Sequence, residues 1–312
     1  MQIAMTGGSG FVGSTLAQRF ASDNDVRVLD LGVHGQGQLD IEGVQTVLGD
    51  VRDSEVVANF VRDADVVIHL ASIAGVASVM SMPVTTMETI LLGAQNVLRA
   101  AAGDPRIKRV ILFSTSEVAG RFAYNVGEDA TLSGARAGEM RWTYAVAKLA
   151  SEFHAAAFHI ERKVPTVCLR PFNIYGPGQL GSGAIREFAK RAIAGEKLSV
   201  RGEGAQIRAW CYIEDVADAV ELCCMRDQAV GQVFNVGNPR SVVTVAELAK
   251  LVVRLAESDS AIEFVPNPEV DVELRVPDIS RARELLGFEP KVDLEEGIAR
   301  TLTAFREITP VG

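Results

Sequence analysis

The chain has 312 residues, 48% of them hydrophobic and 23% charged, the composition of a globular protein long enough for one large domain or two modest ones. Its 31 Lys and Arg stand against 40 Asp and Glu, a net charge of -9, and with no local basic cluster this disfavours a nucleic-acid surface. Cys168, Cys211, Cys223 and Cys224 show no Cys-x-x-Cys spacing and no neighbouring His, so no metal is expected, and no apolar run approaches the roughly 20 residues that span a bilayer.

The chain opens on Met1-Gln2-Ile3-Ala4-Met5 and runs straight into glycines, leaving no room for a signal peptide. A cytoplasmic protein that meets neither membrane nor nucleic acid is the expectation. Residues 2–5 read as a first short apolar strand, followed by Thr6-Gly7-Gly8-Ser9-Gly10-Phe11-Val12-Gly13 and a helical pattern over 13–21. Further strands are predicted at 26–30, 44–48, 66–70, 110–114, 166–169 and 233–236, nearly continuous in Val, Ile and Leu as strands buried on both faces should be. Between them lie helical patterns at 54–61, 87–102 and 142–159. This alternation predicts an α/β fold with a Rossmann-type, doubly wound parallel sheet.

After Tyr175 the chain is broken by Gly176-Pro177-Gly178, and helices are predicted at 184–194, 214–225, 245–255 and 294–305. Residues 1–175 are therefore read as a nucleotide-binding domain and 176–312 as a smaller, mainly helical lobe that binds substrate. The strand near 233–236 is expected to return to the first sheet.

Gly7-x-x-Gly10-x-x-Gly13 between strand and helix is the context a dinucleotide-binding loop needs, because glycine lets backbone approach a pyrophosphate at a helix N-terminus. The second strand ends on Asp30, whose carboxylate suits the ribose hydroxyls and repels a 2′-phosphate, so NAD is favoured over NADP. Tyr144 and Lys148 lie four apart in a helical pattern and share a face. Using a tyrosine as a base near neutrality requires its pKa of about 10 to fall by roughly 4 kcal/mol worth of charge stabilisation. The Lys148 ammonium and a positive nicotinamide are the expected sources. His69 reads as a satisfied structural histidine.

With "TGGSGFVG", Asp30, Gly49-Asp50-Val51, "HLA" at 69–71, "STSEVAG" at 114–120, "YAVAK" at 144–148 and "LRPFNIYGPGQ" at 169–179 in this order, the chain resembles the extended short-chain dehydrogenases/reductases, and within them the nucleotide-sugar epimerase, dehydratase and decarboxylase group. The resemblance implies that Gly7, Gly10, Phe11, Val12 and Gly13 contact the NAD pyrophosphate, Asp50 and Val51 the adenine, and Leu70, Ala71 and Ser72 the path to the nicotinamide. It implies Tyr144 as base and acid at the sugar 4-hydroxyl, Lys148 at the nicotinamide ribose, and Thr115 as donor to the reacting oxygen. Asn173, Ser199 and Val200 would touch a nucleoside-diphosphate sugar, a UDP-sugar foremost, with Arg208 and Arg275 on its diphosphate. A homodimer through the helices at 87–102 and 142–159 is implied as well.

The group shares a transient oxidation to a 4-keto sugar, and the later step divides it. "HLASIAGVASVMSMP" at 69–83 resembles the epimerases around Ala74-Gly75-Val76, so a 4-epimerase is the leading expectation. Ser116-Glu117 after the catalytic Thr resembles the decarboxylases, which keeps a dehydratase or a UDP-glucuronate decarboxylase using Glu117 as the alternative. A non-catalytic NAD-binding sensor is the second alternative. Ile90 where Asn is frequent, Ala119 for the usual Tyr and Trp210 for the usual Phe point to a specialised sugar.

Overall fold

The computed structural model describes residues 1–32, 39–130, 136–181, 183–266 and 272–308; His34, for which the sequence suggests no partner, lies outside them. Seven strands form one sheet: β1 (Gln2–Thr6), β2 (Asp25–Asp30), β3 (Val44–Leu48), β4 (Val66–His69), β5 (Arg109–Phe113), β6 (Thr166–Pro171) and β7 (Val233–Val236). All pair in parallel, in the order β3-β2-β1-β4-β5-β6-β7. The strand at 233–236 does return to this sheet, as its outermost member beside β6.

The strand sequences explain why the sheet is covered on both sides. Ile3, Met5, Ile68 and Ile111 point into one apolar cluster and Ala4, Val67, Val110 and Leu112 into another, the two-residue period of a pleated strand with no polar face. Ile68 and Ile111 are fully buried, and each such side chain is worth about 1.5–3 kcal/mol.

The first half contributes α1 (Phe11–Phe20), α2 (Ser54–Val61), α3 (Val76–Ser81), α4 (Pro83–Ala102) and α5 (Thr143–Arg162). The second half contributes α6 (Ala184–Ile193), α7 (Ile213–Met225), α8 (Val245–Leu255), α9 (Ser280–Leu286) and α10 (Leu294–Ile308). One face of the sheet carries α2, α4 and α5, through Phe60, Val97 and Ala155. The other carries α1 together with α7 and α9, through Leu16, Val220 and Leu286, so two helices from beyond residue 176 pack on the first sheet. A separate core joins α6, α8 and α10 through Phe188, Val252 and Leu302.

Short strands supplement these helices. Val242–Thr244, Ile207–Ala209, Leu274–Pro277 and Phe122–Val126 make a four-stranded sheet that links the two halves of the sequence. The order of the large sheet reverses between β1 and β4, and the crevice beyond the carboxyl ends of those strands is where such sheets take ligands. No helix among the described residues is long and apolar enough to cross a membrane.

Candidate active site

The glycine loop occupies that crevice. Gly7 has φ +73°, and a Cβ there would lie 2.6 Å from both Cα and N of Ala71, so the loop rests on the end of β4 with no room for a side chain. A Cβ on Gly13 would stand 2.5 Å from Cα of Gly8, which fixes the close approach of α1 to the loop. Gly10 caps α1 without a side-chain hydrogen bond. Ser9 Oγ is buried with no hydrogen-bond partner among the described residues. Open N–H groups at a helix start beside an unsatisfied hydroxyl fit the pyrophosphate of the dinucleotide that the sequence implies.

Asp30 accepts from Ser9 N at 3.0 Å and Gly32 N at 3.1 Å, so it braces the loop and keeps lone pairs for ribose hydroxyls. Asp50 is held by Arg52, whose Nη2 lies at 2.6 Å and whose guanidinium keeps the carboxyl below its ordinary range. The Val51 side chain is buried, and its carbonyl accepts from Asn96 Nδ2 at 2.9 Å. Phe11 and Val12 are half-buried and pack toward the core of α6, α8 and α10, so the loop also marks where the two cores meet. Ile90 is fully buried in α4.

His69, at the end of β4, shares a 2.7 Å hydrogen bond between Nδ1 and Thr6 Oγ1. Burial, with Lys148 adding to it, lowers its pKa to about 3, which makes it the neutral structural group expected.

Tyr144, the second residue of α5, is half-buried with its phenol near Ser72 and Thr115. Burial first, and then the nearby Glu117 charge, push this phenol well above its usual range; Ser72 and Thr115 oppose them. Lys148 is absent from the groups that move it, so the protein alone does not produce the depression the sequence leads one to expect. Lys148 Nζ lies 5.8 Å from the Tyr144 ring centroid and donates to Phe113 O at 2.6 Å. Burial lowers its pKa to about 8, against the pull of Cys168 and Glu152.

Behind the ammonium, Glu152 is gripped by the buried Arg170 through Nε at 2.8 Å and Nη2 at 2.6 Å, and by the Ser114 hydroxyl. Sequence reading passes over this pair.

Thr115 Oγ1 accepts from Glu117 N at 3.2 Å and caps the single turn Ser116–Ala119, in which Ser116 is buried. The turn aims Glu117 at Arg141, with Nη1–Oε2 at 2.7 Å and Nη2–Oε1 at 3.3 Å, and Arg275 Nη1 lies 3.8 Å from Glu117 Oε1. Glu117, Arg141 and Tyr144 line one cavity of about 210 Å³ with Gly75, Val76 and Val79. Arg141 escapes a motif search, although it stands three residues before Tyr144, a spacing that puts neighbours on one side of a helical turn.

Arg208 and Arg275 are register partners on adjacent parallel strands, an arrangement that sets two cations side by side. Asn173 takes a left-handed φ of +40° and donates from Nδ2 to Ala209 O at 2.7 Å, fixing the strand that carries Arg208. Ser199 is half-buried, but Val200 is fully buried in the core of the second group of helices, so its side chain is not available to a sugar and the implied contact reduces to backbone. Alternation along Leu198–Arg201 sets that difference.

The chain resembles known proteins over most of its length. A family model described as the NAD dependent epimerase/dehydratase family matches residues 3–237. The chain is 31% identical to a UDP-N-acetyl-alpha-D-glucosaminuronate decarboxylase of Bacillus cytotoxicus, covering 97% of each protein. It is 32% identical to UDP-glucuronic acid decarboxylase 2 of Arabidopsis thaliana, over 98% of this chain and 68% of that one. Among solved structures, a UDP-glucose 4-epimerase of Thermotoga maritima with UDP-glucose superimposes with a TM-score of 0.91 at 28% identity, over 99% of both chains.

Proposed function

Because the chain belongs to the NAD dependent epimerase/dehydratase family, we propose that it uses NAD on a nucleoside-diphosphate sugar and that its reaction is the decarboxylation of a nucleotide-linked uronic acid. The observation that carries this is Glu117 held in the fork of Arg141, in the wall of the cavity that contains Tyr144. A 4-epimerase must let a keto sugar present both faces, which favours an indifferent wall. A carboxylate–guanidinium pair instead fixes charge at one point, as a substrate that bears and loses a carboxylate requires.

The glycine loop, Ser9 and Asp30 are the residues that would hold NAD, with Asp50 and Val51 at its adenine. Bound NAD supplies a reversible hydride acceptor for the sugar's C4. Tyr144, with Thr115 and Ser72 near its phenol, holds the 4-hydroxyl and takes its proton. The buried Lys148 keeps a positive charge beside the phenol, and Arg208 with Arg275 receives the diphosphate. A ketone at C4 makes the C6 carboxylate a β-keto acid, so Thr115 and Tyr144 also stabilise the enolate oxygen that forms as carbon dioxide leaves.

A 4-epimerase is the second reading, favoured by Gly75 and Val76 in the cavity wall and by the match to the T. maritima enzyme. A homodimer belongs to the same proposal: Val146, Phe153 and Ile160 repeat every seventh residue along α5 and are exposed, beside Val84 and Leu92 of α4. The test is incubation with NAD and UDP-glucuronate, UDP-N-acetylglucosaminuronate or UDP-glucose, followed by mass spectrometry and proton NMR. Carbon dioxide loss from a uronate supports decarboxylation; an unchanged mass with C4 inverted supports the epimerase.

A further inference from the structure

We propose that Arg141 is the residue that reads the substrate's carboxylate, and that Glu117 occupies its fork only until a uronate displaces it. This rests on the decarboxylase reading for its reaction step and on geometry for the exchange. Both carboxylate oxygens of Glu117 face the two terminal nitrogens of Arg141, at 2.7 and 3.3 Å, which is the arrangement a sugar carboxylate would adopt on the same fork. The Arg141 guanidinium is also stacked 5.2 Å above the buried Trp142 ring, so it is set before any ligand arrives. The cavity beside the pair, about 210 Å³, borders Tyr144 as well, so a sugar ring held by its 4-hydroxyl at the phenol extends toward Arg141.

The exchange has a consequence for protons. Among the described residues, the groups that face Glu117 are Arg141 from the turn Met140–Trp142, Arg275 from the strand Leu274–Pro277, and Tyr144 from α5. When the substrate's carboxylate takes Arg141, Glu117 keeps Arg275 at 3.8 Å and its own oxygens are freed from the fork. The one proton that C5 must receive is assigned to Glu117, which takes it up as the uronate binds.

With C4 at the ketone level, the C5–C6 bond breaks, carbon dioxide leaves, and the bonding pair is delocalised from C5 onto the C4 oxygen. Glu117 passes its proton to C5 and returns as a carboxylate to the vacated Arg141. One carboxylate and one proton become carbon dioxide and a C–H bond, so the balance closes without a further reagent.

The test is calorimetric titration of the NAD-loaded Tyr144→Phe protein, which does not turn substrate over, in buffers of different ionisation enthalpy. UDP-glucuronate should take up about one proton per molecule bound at pH 7 and UDP-glucose none, and adding Glu117→Gln should abolish the uptake. Arg141→Met in the same background should weaken UDP-glucuronate about 30- to 100-fold, the worth of a lost bidentate ion pair, and leave UDP-glucose within about threefold. No uptake, uptake that survives Glu117→Gln, or equal weakening of both ligands by Arg141→Met would overturn the exchange. Carbon dioxide release by the wild type is measured apart: uptake without release would leave the carboxylate fork standing and remove the decarboxylase reading.

Discussion

Protonating His69 should destabilise the protein in a window set by burial. The ring has an ordinary pKa of 6.5 and one of about 3 in the fold, where it sits under the glycine loop against Thr6 and near Lys148. Its folded value is depressed, so its contribution is fully present above pH 6.5 and is lost as pH falls toward 3, because the unfolded chain then binds a proton that the native ring refuses. The whole depression corresponds to about 5 kcal/mol and the part lost by pH 5 to about 2 kcal/mol. Buried Glu128 and Asp215 have raised values and act in the opposite sense, so the effect is isolated by comparison with His69→Asn. Urea unfolding at pH 7 and pH 5 should show wild type losing about 2 kcal/mol more than the variant at equal m. Equal losses would refute the reasoning and mean that the ring is protonated in the native state.

Two further outcomes follow from the geometry. Gly7→Ala places a Cβ 2.6 Å from Ala71 backbone at a left-handed φ and should lower the melting temperature of the cofactor-free protein, whereas the Cβ of Gly10→Ala meets only Gly7 O at 3.4 Å and should act on NAD affinity instead; calorimetry with and without NAD separates them. Glu152→Gln should cost about 3–5 kcal/mol by leaving Arg170 charged and buried, and the double variant with Arg170→Met should cost less than the sum of the singles in a urea double-mutant cycle.

The large sheet was legible because its strands are rich in Val, Ile and Leu, and the loop because glycine at Gly7 and Gly13 answers to contacts that no side chain would survive. Tyr144 and Lys148 were legible as a helical pair, and Arg208 with Arg275 through resemblance before register made them neighbours. The three-residue strands at 207–209 and 242–244 are too brief to display a period, and chain order cannot tell that α7 and α9 pack on the first sheet. Arg141 carries no motif of its own. Its role exists only where Glu117 meets it, and the direction of the Tyr144 shift likewise depends on burial that a sequence does not display. Val200 shows the reverse case, since the alternation of its four-residue strand already assigns it inward.

Decarboxylation is tested most directly by running the reaction with UDP-glucuronate and NAD in deuterium oxide and reading the product by proton NMR. The account predicts release of carbon dioxide and a nucleotide-linked pentose with one deuteron at C5, where the proton held by Glu117 is delivered. A product that keeps its carboxylate and C5 proton and has C4 inverted would contradict it and make the chain a 4-epimerase.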